Sequence, residues 1–415
     1  MDTLEYSNFI EKVSTDVINE INKNRYVLMI GKNGRGKSNI LAMLAEKLAF
    51  QKKLVLALSF SITDKFPFSS KAYYQYLGVK STSNSTHTNT IDNKIFENLL
   101  KGASIPGFEG RIAQICEFLE TSYTLSIKGE CLTGFAESSI DRYIARAVTA
   151  RRGRSILDLE SLETDLATQE AIDKILDKED LQRDQIHLCL RALGAEEENT
   201  KFERHLELSD HDTIKAFSFI PKLRKLGIIR NFSLNIGNHQ TGNLNFLSSG
   251  QKHIFFTLIQ VCLYVGRKAT LLIDEPEISL HPDWQARYIP LLEQLFGDED
   301  FKYVIATHSP FVAINCSHLN TSIISLAKQD GMLTSERIDS MNGWSVDIAS
   351  VDGFKVGSYR SIQLEKLLLQ ACEIIAADEP SKLEARAYIA KLKQYTLSPE
   401  DPVHSIIADL EEVAK

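Results

Sequence analysis

Tyr26-Val-Leu-Met-Ile30-Gly31-Lys32-Asn33-Gly34-Arg35-Gly36-Lys37-Ser38-Asn39 reads as a short buried strand, a glycine-rich turn and the opening of a helix. Gly31 to Ser38 satisfies G-x-x-x-x-G-K-[ST] at every fixed position, with the strand before and helix after that the motif requires. Glycines let the backbone curl until several N–H groups point inward at phosphate, and the following helix adds the positive end of its dipole. Lys37 supplies a mobile charge for β- and γ-phosphate oxygens, and the Ser38 hydroxyl can ligate Mg²⁺. The helix predicted from Asn39 runs to Phe50, and Lys53 to Phe60 (KLVLALSF) follows as a second apolar strand. Strand, turn, helix and strand make a βαβ unit with a right-handed crossover. Ahead of it, residues 4–24 place Phe9, Ile10, Val13, Val17, Ile18 and Ile21 on one stripe, the pattern of an amphipathic helix.

A phosphate cradle needs partners at neighbouring strand ends, and residues 244–330 hold them. Leu271-Leu-Ile-Asp274-Glu275-Pro276 is an apolar strand ending in two acids. The carboxyl ends of parallel strands face the ligand crevice, and successive strand residues alternate sides. Asp274 is therefore expected in the Mg²⁺ shell, and Glu275 beside the γ-phosphate, placed to orient or deprotonate the attacking water. Ala306-Thr-His308-Ser-Pro310 ends the next apolar strand, where a histidine can hydrogen-bond the γ-phosphate. Leu247-Ser248-Ser249-Gly250-Gln251 opens a helix 23 residues before the acids. On its own it reads equally as a plain capped helix. A triphosphate already held by residues 31–39 has no use for a second anion-binding helix start, so this one is expected to serve a triphosphate on another subunit. Ser248 would donate a hydroxyl, and Gly250 would let backbone amides approach.

These four motifs, in this order, resemble the ABC-type ATPases. Two details, Asp274-Glu-Pro-Glu-Ile-Ser279-Leu-His281-Pro-Asp-Trp284-Gln285 and the ATHSP run, narrow the likeness to the branch with the OLD, RecF and SMC proteins. That branch includes ATPase subunits of bacterial anti-phage systems such as PARIS, Septu and retron-associated ATPases. The resemblance is carried by residues 25–60 and 244–315. It implies ATP and Mg²⁺ as cofactors, paired ATPase heads as the oligomer, and Ser279 and His281 on a loop beside the partner's nucleotide. It also implies a sensor or regulator that gates a partner effector, a nuclease or toxin encoded nearby, through ATP-dependent head dimerisation. A DNA-repair or recombination ATPase that clamps DNA is the alternative, and a soluble transporter subunit is disfavoured by the LHP loop. The chain departs from the pattern in starting with a helix instead of a strand pair, in carrying Ser249 where glycine is commonest, and in lacking a clear glutamine loop, for which Gln75 is the candidate. No glycine-glutamate start with a following D-x-D pair is present after Ser309, so nuclease activity is not expected in this chain.

The expected fold class is thus α/β, a P-loop NTPase of ABC-ATPase type with an inserted helical lobe and a C-terminal helical appendage. Residues 1–95 and 227–330 would form the head, 96–226 the lobe and 331–415 the appendage, with helices near 360–377, 380–395 and 403–414. The 415 residues are 43% hydrophobic and 25% charged, close to globular norms. The N-terminus lacks the basic start and apolar core of a signal peptide, and no apolar run suits a membrane, so the cytoplasm is the expected address. Six scattered cysteines without a C-x-x-C pair fit buried reduced thiols. A net charge of −8 excludes a uniformly basic coat for nucleic acid. One basic stretch remains, Arg142, Arg146, Arg151, Arg152 and Arg154; it reads as a solvated face paired with the acidic run that follows, or as a salt-sensitive DNA contact.

Overall fold

The computed structural model describes residues 3–61, 64–68, 71–78, 88–131, 170, 173–174, 176–194, 201–237, 247–316, 319–329, 332–341, 343–354, 361–377, 381–395, 397 and 401–415. The basic stretch Arg142 to Arg154 lies outside them. The described residues divide into two compact units, Met1–Ser340 and Met341–Lys415.

In the larger unit, helix α1 (Thr3–Lys23) precedes strand β1 (Tyr26–Ile30), helix α2 (Lys37–Phe50), strand β2 (Leu54–Ser59) and strand β3 (Tyr74–Tyr76). Strand β1 is buried along its whole length, as expected of a parallel strand covered on both faces. Ile10, Val13, Val17 and Ile21 of α1 and Ile40, Leu41, Leu44 and Leu48 of α2 bury one stripe each against Val27, Met29, Val55 and Ala57 of the sheet. Each such side chain contributes about 1.5–3 kcal/mol on leaving water. The expected amphipathic stripe of the N-terminal helix therefore covers the sheet beside the phosphate turn.

Helices α3 (Thr88–Gly102) and α4 (Phe108–Phe118) lead to strand β4 (Leu125–Cys131). Helix α5 (Arg183–Leu193), strand β5 (Lys201–His205), helices α6 (His211–Phe217) and α7 (Ile220–Lys225) and strand β6 (Ile229–Ile236) follow. Strands β5, β4 and β6 form a three-stranded antiparallel sheet in that order. The inserted segment is consequently not purely helical. Its proposed start at residue 96 also falls inside α3, whose apolar face packs on the following helix α8 (Ser249–Cys262).

Strand β7 (Ala269–Asp274), helix α9 (Pro282–Phe296), strand β8 (Phe301–Thr307), helix α10 (Pro310–Cys316), strand β9 (Thr321–Gln329) and strand β10 (Met332–Ile338) complete the unit. The main sheet has the order β10-β9-β1-β8-β7-β2-β3, parallel except for β10. Because β10 pairs along its length with β9, the main sheet runs to residue 338, and the appendage begins at Met341 instead of 331. The register aligns Ile30 with Thr307, Ala306 with Asp274, and Asp274 with Ser59. The carboxyl ends of β1, β8, β7 and β2 thus form one row along a single edge.

The smaller unit contains helices α11 (Ile362–Ile375), α12 (Lys382–Leu392) and α13 (Val403–Val413). Leu364, Ala371, Ala385, Leu392, Val403, Ile407 and Leu410 make its core. Ser361 and Ser381 cap the first two helices with hydroxyl acceptors. Among the described residues no helix is long and apolar enough to cross a membrane. Cys116, Cys131, Cys189, Cys262 and Cys316 are buried, and Cys372 is exposed.

Candidate functional site

At the end of β1 the chain enters the turn through Gly31, whose φ is +140°. A β-carbon there would lie 2.3 Å from the carbonyl oxygen of Leu326 on β9, so only glycine lets the turn leave the sheet at this point. The turn closes on α2, and Asn33, Gly34, Arg35, Gly36, Lys37, Ser38 and Asn39 line a cavity of about 270 Å³. Tyr6, Lys65, Glu275 and His308 complete the lining. Of the cradle residues expected from sequence, Gly31 and Lys32 are not in that wall. Tyr6 comes from α1, and its hydroxyl accepts a hydrogen bond from Asn39 Nδ2 at 2.6 Å.

Lys37 is buried and donates to the Gly31 carbonyl at 2.8 Å. Loss of water lowers its pKa to about 8, against the upward pull of Glu275, Glu277 and Asp274. Its ammonium lies 2.6 Å from His308 Nε2, and the same nitrogen lies 3.2 Å from Glu275 Oε1. In the tautomer that leaves that nitrogen bare it accepts from Lys37, and in the tautomer that places the hydrogen there it donates to Glu275. The His308 hydrogen bond, opposed by partial burial, holds the Glu275 carboxyl below its ordinary value. Glu275 is therefore ionised at neutral pH. Its backbone is left-handed, φ +50°, and this turns the chain out of β7 while its N–H still pairs with the Ala306 carbonyl at 2.8 Å.

Asp274 is 2% exposed, and burial pushes its pKa up to about 7, with a hydrogen bond from Ser38 opposing the shift. Its Oδ1 is buried without a hydrogen-bond partner. An orphaned carboxylate oxygen beside a hydroxyl is a poor core feature and a suitable pair of donors for a hard cation such as Mg²⁺.

The structure adds residues that sequence reading did not single out as functional. Glu277 accepts hydrogen bonds from Thr307 Oγ1 at 2.8 Å and from the His308 N–H. Burial raises its pKa, and these bonds counter that shift. Thr307 Oγ1 also accepts from Ser309 N–H at 2.9 Å. Ser309 Oγ donates to Gln285 Oε1 at 2.6 Å, and Gln285 Nε2 donates to the Leu280 carbonyl at 2.9 Å. This chain of bonds fastens loop 275–281 to the end of β8 and orients His308. The only sequence signal for it was the pair of quoted runs DEPEISLHPxWQ and ATHSP. Gln75, the glutamine-loop candidate, donates instead to the Lys71 carbonyl at 3.0 Å and does not line the cavity.

Ser248 and Gln251 form a capping box at the start of α8: the serine oxygen accepts from Gln251 N–H at 3.2 Å, and Gln251 Oε1 accepts from Ser248 N–H at 2.8 Å. Ser248 and Ser249 are exposed and Gly250 is buried. A β-carbon on Gly250 would meet the Ser279 carbonyl oxygen at 2.3 Å, so the helix start is seated on loop 275–281. Ser279 also has a left-handed backbone, φ +63°, and His281 caps α9 through Asp283 N–H. Residues 248–251 do not line the cavity of their own chain. Within one polypeptide the structure brings together residues 33–39, Asp274, Glu275 and His308, and holds the Ser248–Gln251 helix start apart from them, beside Ser279.

Residues 153–315 match a family model described as "AAA domain, putative AbiEii toxin, Type IV TA system". The phosphate turn precedes that match. Two curated proteins are similar over short stretches. Protein ea59 of Escherichia phage lambda is 38% identical over 66 residues, covering 16% of this chain and 13% of that protein. The Retron Ec83 probable ATPase of Escherichia coli is 32% identical over 97 residues, covering 20% of this chain and 16% of that protein. The chain thus spans less than a fifth of the length of either relative. Among solved structures, an Smc head domain with bound ScpA C-terminal domain from Pyrococcus furiosus aligns at 12% identity, 63% and 59% coverage and a TM-score of 0.24. The conjugative coupling protein TrwBΔN70 aligns at 11% identity, 76% and 78% coverage and a TM-score of 0.18. The family match and the retron-associated relative agree with an ABC/AAA-type ATPase, and the parallel sheet with its glycine turn has the P-loop NTPase architecture.

Proposed function

We propose that this chain binds and hydrolyses ATP with Mg²⁺ at sites shared between two copies, and that it serves as the sensor or regulator of a bacterial anti-phage defence complex. The observation that carries the chemistry is the row of ends of three adjacent parallel strands: Lys37, on the helix that follows β1, lines one cavity with His308 after β8 and Glu275 after β7, and Asp274 is buried behind it at the end of β7, bonded by Ser38. Residues 31–39 hold the phosphates, with Lys37 neutralising the β- and γ-oxygens. Ser38 and Asp274 hold Mg²⁺, which supplies charge neutralisation on the phosphates. Glu275, ionised and fixed by its turn, orients the attacking water and accepts hydrogen bonds from it. His308 donates to the terminal phosphate, and Glu277 keeps its backbone in place.

The pairing of two copies rests on the other face. Ser248 and Ser249 are exposed, lie next to Ser279, and have no part in their own chain's cavity. A capped helix start whose Ser248 and Ser249 remain exposed beside a left-handed serine suits the open side of a triphosphate held by another copy. ATP occupancy would then favour the paired state and hydrolysis would release it, gating an effector, a nuclease or toxin encoded nearby. The defence role is supported by the retron-associated relative and by the toxin–antitoxin wording of the family description.

Removing the cradle charge tests the nucleotide reading. Lys37→Ala deletes charge-assisted hydrogen bonds of about 1.5–3 kcal/mol, so ATP affinity should fall by about 10- to 100-fold, read by fluorescent-nucleotide titration. ATP-driven self-association, read by sedimentation velocity, should disappear with it. Unchanged affinity would overturn the assignment of residues 31–39.

The pH dependence has a definite sign. Asp274, raised to about 7, must lose its proton to receive Mg²⁺, whereas Lys37, lowered to about 8, must keep its own to receive phosphate. The Mg²⁺-dependent part of ATP affinity should therefore rise from pH 6 to pH 7.5 and fall again above roughly pH 8.5. Calorimetry at pH 6.5 in two buffers of different ionisation enthalpy should register proton release. A flat profile across this range would contradict the burial of both groups.

A further inference from the structure

Lys65 lines the nucleotide cavity, yet it belongs to none of the motifs. It lies between β2 and β3, and the backbone on both sides of it is pinned. Asp64, 6% exposed, accepts from Phe66 N–H through Oδ1 at 3.0 Å and from the Tyr76 hydroxyl through Oδ2 at 2.7 Å. Phe66 is buried in the core that includes Tyr74, and the Tyr74 hydroxyl donates to the Pro67 carbonyl at 2.7 Å. Two tyrosines of β3 and one core phenylalanine therefore fix residues 64–67. Lys65 itself remains exposed, at the cavity wall.

The strand order decides which end of a nucleotide Lys65 meets. Along the row of carboxyl ends, β1 carries the phosphate turn, β8 carries His308, β7 carries Asp274 and Glu275, and β2 comes next. Ser59, at the end of β2, pairs with Asp274, so the segment that follows β2 leaves the sheet beside the proposed cation site. A triphosphate held at Lys37 would meet Glu275 and His308 with its outer end, at the ends of β7 and β8, and the segment after β2 comes next along that row. An ammonium there faces the last phosphate, and not the α-phosphate at the start of α2.

We propose that Lys65 is a binding residue for the terminal phosphate of ATP, delivered from the β2 side of the site, and that Asp64 is its positioning residue. This rests on the reading of residues 31–39 as an ATP site. A lysine suits the task because a compact charge with three donors accepts any oxygen of a rotating phosphoryl group. ADP lacks that group, so Lys65 separates the two nucleotides. Gln75, by contrast, bonds to the Lys71 carbonyl and does not line the cavity.

The test compares a non-hydrolysable ATP analogue with ADP, each with Mg²⁺, on the full chain. Lys65→Met keeps most of the aliphatic stem and removes the charge. It should weaken the analogue by about tenfold while ADP stays within about twofold, and Lys65→Arg should restore most of the loss. Equal weakening of both nucleotides would reveal a merely structural role and overturn the proposal, as would an unchanged ratio. If the unaltered chain binds neither nucleotide, the ATP reading itself falls and takes Lys65 with it. Binding by the unaltered chain with no effect of Lys65→Met removes Lys65 alone.

Discussion

Glu275→Gln is expected to slow ATP turnover by about 10²- to 10⁴-fold while leaving ATP affinity intact or improved. The carboxylate is held ionised by its hydrogen bond from His308, and its turn sets it at the cavity wall. An amide occupies the same volume, so the cavity keeps its shape, yet it accepts a water proton poorly. Removing a negative charge near the phosphates also relieves repulsion, which argues against any loss of binding. Because ATP then persists, the paired assembly should accumulate. Phosphate release and sedimentation velocity on the same sample check both halves of the expectation. Normal turnover would mean that another group activates the water, and normal turnover with tighter pairing is not permitted by the account.

Gly250→Ala should produce the complementary phenotype. The added carbon would stand 2.3 Å from the Ser279 carbonyl, so the start of α8 and loop 275–281 must part. Residues 248–251 are not in their own chain's cavity, so ATP affinity should stay within about twofold. Turnover should drop by about 100-fold, the usual consequence of displacing a contributing element by about an ångström. ATP-driven pairing should weaken in parallel. A melting curve separates this outcome from general unfolding, since most of α8 is buried and packs on α3 and α4. Loss of ATP binding in a folded Gly250→Ala chain would place residues 248–251 in the site of their own chain and refute the shared arrangement.

Much of this architecture was legible because the informative segments are continuous. YVLMI is apolar from end to end and Leu271-Leu-Ile273 is apolar up to Asp274, as strands buried on both faces must be, and each runs directly into its motif. The stripe of the N-terminal helix was equally plain, since Ile10, Val13, Val17 and Ile21 repeat at helical spacing. Strands β4 and β5 were not legible. LSIKGEC and KFERH carry few apolar residues within long charged surroundings, and pairing across about 75 positions decides them. Strand β10, MLTSERI, is an edge strand with mostly partly exposed side chains, so its pattern resembles a loop.

The site divides in the same way. Residues fixed by spacing along the chain, such as those from Asn33 to Asn39, could be read directly. Glu277 meets Thr307 across 30 positions and Gln285 meets Ser309 across 24, so their roles exist only in the fold. Gln75 illustrates the converse error: distance from the phosphate turn suggested a contact, but its side chain serves the Lys71 carbonyl, and the neighbouring Lys65 reaches the cavity.

A structure of the Glu275→Gln chain saturated with ATP and Mg²⁺ bears most directly on the shared site. Two copies are expected face to face, with each triphosphate held by residues 31–39 of one and hydrogen-bonded through Ser248 and the Gly250 backbone of the other. Triphosphates enclosed by a single polypeptide, with residues 248–251 turned away from every nucleotide, would contradict it.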